Sequence, residues 1–128
     1  MSLRSPLSRV LRSGSAKEGT EHWWMQRVTS VALLLLGGWF LVSVRGVVIF
    51  QEADLYAWVA YPVNAVMLLL LSVILAWHSM LGVQVVIEDY VHGPTIKVVS
   101  LTLSKFAHVF FGFAAVFAVL TVSLGGSA

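Results

Sequence analysis

Residues 61–90 read YPVNAVMLLLLSVILAWHSMLGVQVVIEDY, with no Asp, Glu, Lys or Arg before Glu88. About 20 apolar residues in a helix cross the ~30 Å hydrocarbon core of a bilayer. The stretch therefore reads as the body of a membrane-spanning helix running from about Trp58 to Ile87. Pro62 suits the first turn, where its missing N–H is not needed. His78 would then lie deep in lipid, and Asp89 and Tyr90 would emerge at one surface. Eleven residues at ~100° each return to nearly the same direction and rise ~16 Å. His78 and Asp89 are expected on one face, about half a bilayer apart.

The rest of the chain fits this beginning. Of its 128 residues 59% are hydrophobic and 11% charged, against about 25% charged in a soluble domain, and the mean hydropathy is +0.89. The fold class expected is all-α integral membrane, one small bundle with three transmembrane helices at about 23–50, 58–87 and 96–124. Two regions are expected: a basic N-terminal arm over 1–20 and a three-span membrane domain over 21–128. Cysteine is absent, which excludes disulfides, thiolate metal sites and Cys nucleophiles. A metal would have to be held by His or carboxylate.

The arm carries Arg4, Arg9, Arg12 and Lys17 and no acid before Glu18. Arg- and Ser-rich, acid-poor starts also occur in organelle transit peptides. A start at Met1 with the arm in place favours a bacterial inner membrane over a mitochondrial one. In the first span Trp23 and Trp24 suit an interfacial belt, and Gly37 and Gly38 suggest close helix contact. Arg27 and Arg45 are eighteen residues apart, five helical turns, and face the same way. Arg45 is expected to snorkel to the far surface. Arg27, with Thr29 and Ser30 beside it, either snorkels or holds a carboxylate by bidentate hydrogen bonds. A short acidic loop is expected from Gln51 to Ala57. Cationic residues gather at the N-terminus and in the second loop, near Lys97, so the positive-inside rule places both inside and the C-terminus outside.

Histidine within a span is rare and usually faces the bundle interior. His78 is either a structural imidazole bonded to a neighbouring helix or an axial haem ligand, which needs an apolar, water-excluding shell. Gly82, one turn on, leaves room on the same face for a flat macrocycle. His108, well inside the third span, competes for that role but lacks a companion motif at the rim. Glu88, Asp89, Tyr90 and His92 cluster where Gly93-Pro94 breaks the helix. They form either a solvated loop or a site where Tyr90 donates to a carbonyl with Asp89 tuning or relaying its proton.

Two motifs carry a family resemblance: His22-Trp23-Trp24-Met25-Gln26-Arg27-Val28-Thr29-Ser30, and His78 followed eleven residues later by Asp89-Tyr90. From about His22 to Leu124 the chain resembles the small, hydrophobic membrane-anchor subunit of succinate dehydrogenase, respiratory complex II. The resemblance implies a bundle shared with a second anchor subunit. It implies that His78 is one axial ligand of the iron of a haem b, the second ligand coming from that partner. It implies that Tyr90 hydrogen-bonds a ubiquinone carbonyl with help from Asp89, and that Arg27 lies near a haem propionate and the quinone pocket. A flavoprotein subunit with FAD and an iron–sulfur subunit with its clusters would dock on the inner surface. Two departures stand out: Glu88 adds a carboxylate beside Asp89, and the arm is longer than the family's usual start. The alternatives are a fumarate-reductase anchor using menaquinone, with the same fold, and a non-catalytic structural or assembly helix bundle.

Overall fold

The computed structural model describes residues 17–45 and 52–125, with side chains over 20–45 and 54–125. Four helices follow in order: α1 (Lys17–Val44), α2 (Glu52–Ala60), α3 (Pro62–Tyr90) and α4 (Pro94–Ser123). There is no strand among the described residues. Three helices are long and apolar enough to cross a membrane, over Thr20–Val44, Pro62–Tyr90 and Pro94–Ser123. The chain is an all-α, multi-pass membrane protein. Arg4, Arg9 and Arg12 of the expected arm, and the expected end of the first span at Phe50, lie outside the described residues.

Proline sets two of the boundaries. A residue before proline is pushed out of the helical region, and Tyr61 (φ −63°, ψ 125°) and Gly93 (φ −70°, ψ 121°) are both extended. Each proline then begins a new helix at a position needing no N–H donor. This corrects two expectations. The second span does not start at Trp58, because Pro62 separates α2 from α3. The acidic segment is not a loop through Ala57, because Glu52–Ala60 is helical. Asn64 spans the break, its Nδ2 donating to the Trp58 carbonyl at 2.9 Å. Trp58 in turn stacks on Trp39 of α1, with ring centroids 6.0 Å apart and planes at 17°, and meets Phe40 edge-on.

α3 is the middle of a three-helix layer. It packs against α1 on one side and α4 on the other, and α1 and α4 do not touch among the described residues. Residues 29 and 78 face each other, as do 26 and 82, so α1 and α3 run antiparallel. One end of the layer thus gathers the start of α1, the end of α3 and the start of α4. The Trp39–Trp58 stack lies at the other end.

Four described residues are buried: Thr29, Leu36, Ala65 and Leu81. The outward faces are apolar and open, with Phe106, Phe110, Phe113 and Phe117 each about 70% exposed along α4. For a chain whose solvent is lipid this is ordinary, since acyl chains are as apolar as the side chains. α3 and α4 approach closely at Gly112, where an added Cβ would stand 3.1 Å from the Ala76 Cβ. The close contact expected at Gly37 and Gly38 is not made within the described chain, as a Cβ added at either meets nothing within 4 Å.

Candidate functional site

The centre of the site is a hydrogen bond between two spans. Thr29 of α1 is 8% exposed, and its Oγ1 lies 2.8 Å from Nδ1 of His78 on α3. The same hydroxyl lies 2.8 Å from the Met25 carbonyl and 3.2 Å from the Gln26 carbonyl. A carbonyl only accepts, and a threonine hydroxyl has one proton to give. The arrangement that satisfies every group has Thr29 donating to Met25 and accepting from the Nδ1–H of His78. That tautomer leaves a lone pair on Nε2, the nitrogen free to bind a metal. A ligating histidine ordinarily donates its other N–H to a fixed acceptor, which sets tautomer and ring orientation. Thr29 supplies such an acceptor.

His108 is also prepared on one side. Its Nδ1 lies 2.7 Å from the Ser104 carbonyl one turn back, so Nδ1 carries the proton and Nε2 the lone pair. The ring lines an open groove of about 330 Å³ between α3 and α4, with Ala76, Trp77, Met80 and Gly112. The two imidazoles lie on opposite sides of α3. They differ in what holds them: His78 is tied to another helix, His108 only to its own. No group of three or more His, Asp or Glu side chains able to hold a bare metal ion occurs among the described residues. A haem would need only one ligand from this chain.

Gly82 does not open space for a macrocycle. Its missing side chain is answered by Gln26 of α1, whose Nε2 would stand 3.7 Å from an added Cβ. Gln26 and Thr29 are three residues apart and both face α3. Arg27 lies about 200° round the helix from Thr29 and points away from His78. It is exposed, with its guanidinium carbon 5.4 Å from the centre of the Trp23 ring. This chain alone does not bring Arg27 together with His78.

Eleven residues beyond His78, α3 ends. Asp89 is exposed, and Tyr90 is 78% exposed. Neither side chain has a partner among the described residues, so both are presented outward at the end that also carries Arg27. The helix end under them is held from three directions. The Val91 N–H donates to the Ile87 carbonyl at 3.0 Å. Lys97 Nζ donates to the Glu88 carbonyl at 2.8 Å. His92 Nδ1 donates to the Tyr90 carbonyl at 3.0 Å. Glu88, the extra carboxylate, accepts from Gln84 Nε2 at 2.8 Å along its own helix.

Sequence reasoning tied Thr29 to Arg27 and not to His78, and met Gln26 only as part of the first motif. The available signal was their spacing, three apart on one face, with His22 four residues before Gln26.

The chain matches the model of a family described as succinate dehydrogenase/fumarate reductase transmembrane subunit over residues 1–122. It is 34% identical over 92 residues to a succinate dehydrogenase hydrophobic membrane anchor subunit of Rickettsia bellii, covering 69% of this chain and 70% of that one. It is 35% identical over 93 residues to a succinate dehydrogenase membrane anchor subunit of Reclinomonas americana, covering 70% and 77%. A succinate dehydrogenase hydrophobic membrane anchor subunit of Paracoccus denitrificans is 33% identical over 84 residues, covering 66% and 65%. No solved structure matches the chain.

Proposed function

The chain belongs to the succinate dehydrogenase/fumarate reductase transmembrane-subunit family, and on that premise we propose that it is the hydrophobic membrane anchor of a succinate:ubiquinone oxidoreductase. In this reading it pairs with a second anchor subunit in a bacterial inner membrane, with the N-terminus inside and the C-terminus outside. The flavoprotein and iron–sulfur subunits dock at the end bearing Asp89 and Tyr90. Succinate is oxidised on those partners, and the two electrons and two protons released are matched by the two of each that reduce ubiquinone to ubiquinol.

The observation that carries the reading is the pairing, on α3, of an imidazole tied to another helix with an outward acid–phenol pair eleven residues on. His78 would hold the iron of a haem b through Nε2, because its Nδ1–H is occupied by Thr29 and its Nε2 keeps a lone pair. A haem held there supplies one-electron storage inside the membrane. Tyr90 donates its phenolic proton in a hydrogen bond to a quinone carbonyl, and Asp89 beside it holds or passes a proton. Arg27 adds positive potential at the same end. Its direction, away from α3, suits a role at the boundary with a partner subunit. FAD and the iron–sulfur clusters belong to the partners, in keeping with a chain that has no cysteine. The relatives named above are succinate dehydrogenase subunits, which favours succinate oxidation over the fumarate-reducing, menaquinone-using alternative.

Tyr90→Phe in the assembled complex tests the quinone role. The expected result is a loss of ubiquinone reduction of about tenfold, the value of one hydrogen bond of about 1.5 kcal/mol. Succinate oxidation by an artificial acceptor stays intact. Unchanged ubiquinone reduction would remove Tyr90 from the site.

A further inference from the structure

α3 ends without the glycine cap that commonly stops a helix. The residue by which the chain leaves it, Val91, is extended (φ −96°, ψ 107°), whereas a glycine in the left-handed region would answer the last carbonyls through its own backbone. The last four carbonyls of a helix have no partner within it. In α3 they belong to Ile87, Glu88, Asp89 and Tyr90. The Val91 N–H serves Ile87. Two side chains serve Glu88 and Tyr90, so the peptide groups on both sides of Asp89 are held: Lys97 takes the Glu88 carbonyl from α4, and His92 takes that of Tyr90. We propose that Lys97 is a positioning residue of the quinone site. Its bond to the Glu88 carbonyl fixes the last turn of α3, and with it the direction in which Tyr90 and Asp89 meet the quinone. The inference rests on the reading of Tyr90 and Asp89 given above.

Two features support it. The first is that Asp89 and Tyr90 are exposed and their side chains have no partner among the described residues. Their direction is therefore set by the backbone beneath them. Helix ends fray, and the turn that follows offers little support, being extended at both Val91 and Gly93. Lys97 ties this end to a second helix. The second feature is where Lys97 stands. It lies in the first turn of α4, a turn that holds no acid. A cation there is opposed by the positive end of its own helix dipole, whereas at the C-terminus of α3 it is favoured. The contact with α3 accounts for a charge that α4 by itself disfavours.

The test compares ubiquinone reduction by the intact complex carrying Lys97→Met, Lys97→Arg, Tyr90→Phe or Lys97→Met with Tyr90→Phe, with succinate oxidation by an artificial acceptor measured beside it. Lys97→Met keeps the apolar stem and removes the ammonium. The expected result is a loss of ubiquinone reduction of about two- to fivefold, the value of a cation at a helix C-terminus. Acceptor reduction is kept, and Lys97→Arg restores most of the rate. In the Tyr90→Phe complex the same change costs less, because no phenolic proton is left to aim. A Lys97→Met complex equal to wild type overturns the proposal. So do a loss of both activities together, which would make Lys97 a residue of assembly alone, a Lys97→Arg complex as slow as Lys97→Met, and losses that multiply in the double variant. If Tyr90→Phe by itself is without effect, the reading of the site falls and the proposal with it. If Tyr90→Phe is slow and Lys97→Met is not, only the proposal falls.

Discussion

Replacing Thr29 by Val tests the join between the two spans. The two side chains have nearly the same shape, so the packing is largely kept and the hydroxyl alone is lost. Met25 loses a 2.8 Å bond from Oγ1, at small cost, because its carbonyl remains within the helix ladder. His78 loses more. Its Nδ1–H, 2.8 Å from Oγ1, is left without an acceptor beside a residue that is 8% exposed. Leaving a buried donor unpaired costs about 1–3 kcal/mol. Where the imidazole is a metal ligand, losing its orienting partner typically weakens metal affinity about 10–100-fold. The expected outcome is therefore faster haem loss from Thr29→Val by about that factor, with part of the haem missing on purification. Thr29→Ser keeps the hydroxyl and serves as control, retaining haem like the wild type. The assay is haem content per complex before and after incubation with a haem-scavenging apoprotein. Equal retention by the Val and Ser variants would refute the reasoning, since the Thr29 hydroxyl would then not be orienting a ligand.

Two further outcomes follow from the packing. Gly112→Leu should lower the thermal midpoint of the complex or block its assembly, an overpacking cost of about 1–3 kcal/mol, because a Cβ there already stands 3.1 Å from Ala76; a variant as stable as wild type would contradict the close α3–α4 contact. Lys97→Met removes the 2.8 Å bond to the Glu88 carbonyl at the end of α3, a cation at a helix C-terminus worth about 0.3–1 kcal/mol and screened by salt. The variant should be less stable than wild type at low ionic strength and nearly equal to it at high; a deficit independent of salt would point to a different role for Lys97.

The three spans were legible because the length and continuity of an apolar run measure a bilayer directly. The exact starts of α3 and α4 follow from Pro62 and Pro94, whereas hydropathy alone runs on through the break at Pro62 and puts the start at Trp58. Helical arithmetic along one chain put Arg27 and Arg45 on one face, and both are exposed. The same arithmetic turns Thr29 away from Arg27, so sequence adjacency misled where angle would have served. The Thr29–His78 bond was not legible, since it depends on the register of two helices forty-nine residues apart. Glycine was ambiguous for the same reason: Gly37, Gly38, Gly82 and Gly112 look alike in sequence, and only the neighbour distinguishes them. Gly112 meets Ala76, Gly82 meets the Gln26 amide, and the first two meet nothing within the described chain.

The central claim is that His78 presents its Nε2 to the iron of a haem shared with a partner subunit. It is tested most directly by the reduced-minus-oxidised absorbance spectrum of the purified complex carrying His78→Ala, recorded beside His108→Ala. The account predicts that the low-spin bis-imidazole signal is lost or altered in the first and kept in the second. An unaltered signal in His78→Ala would contradict it and move the ligand to His108 or to another chain.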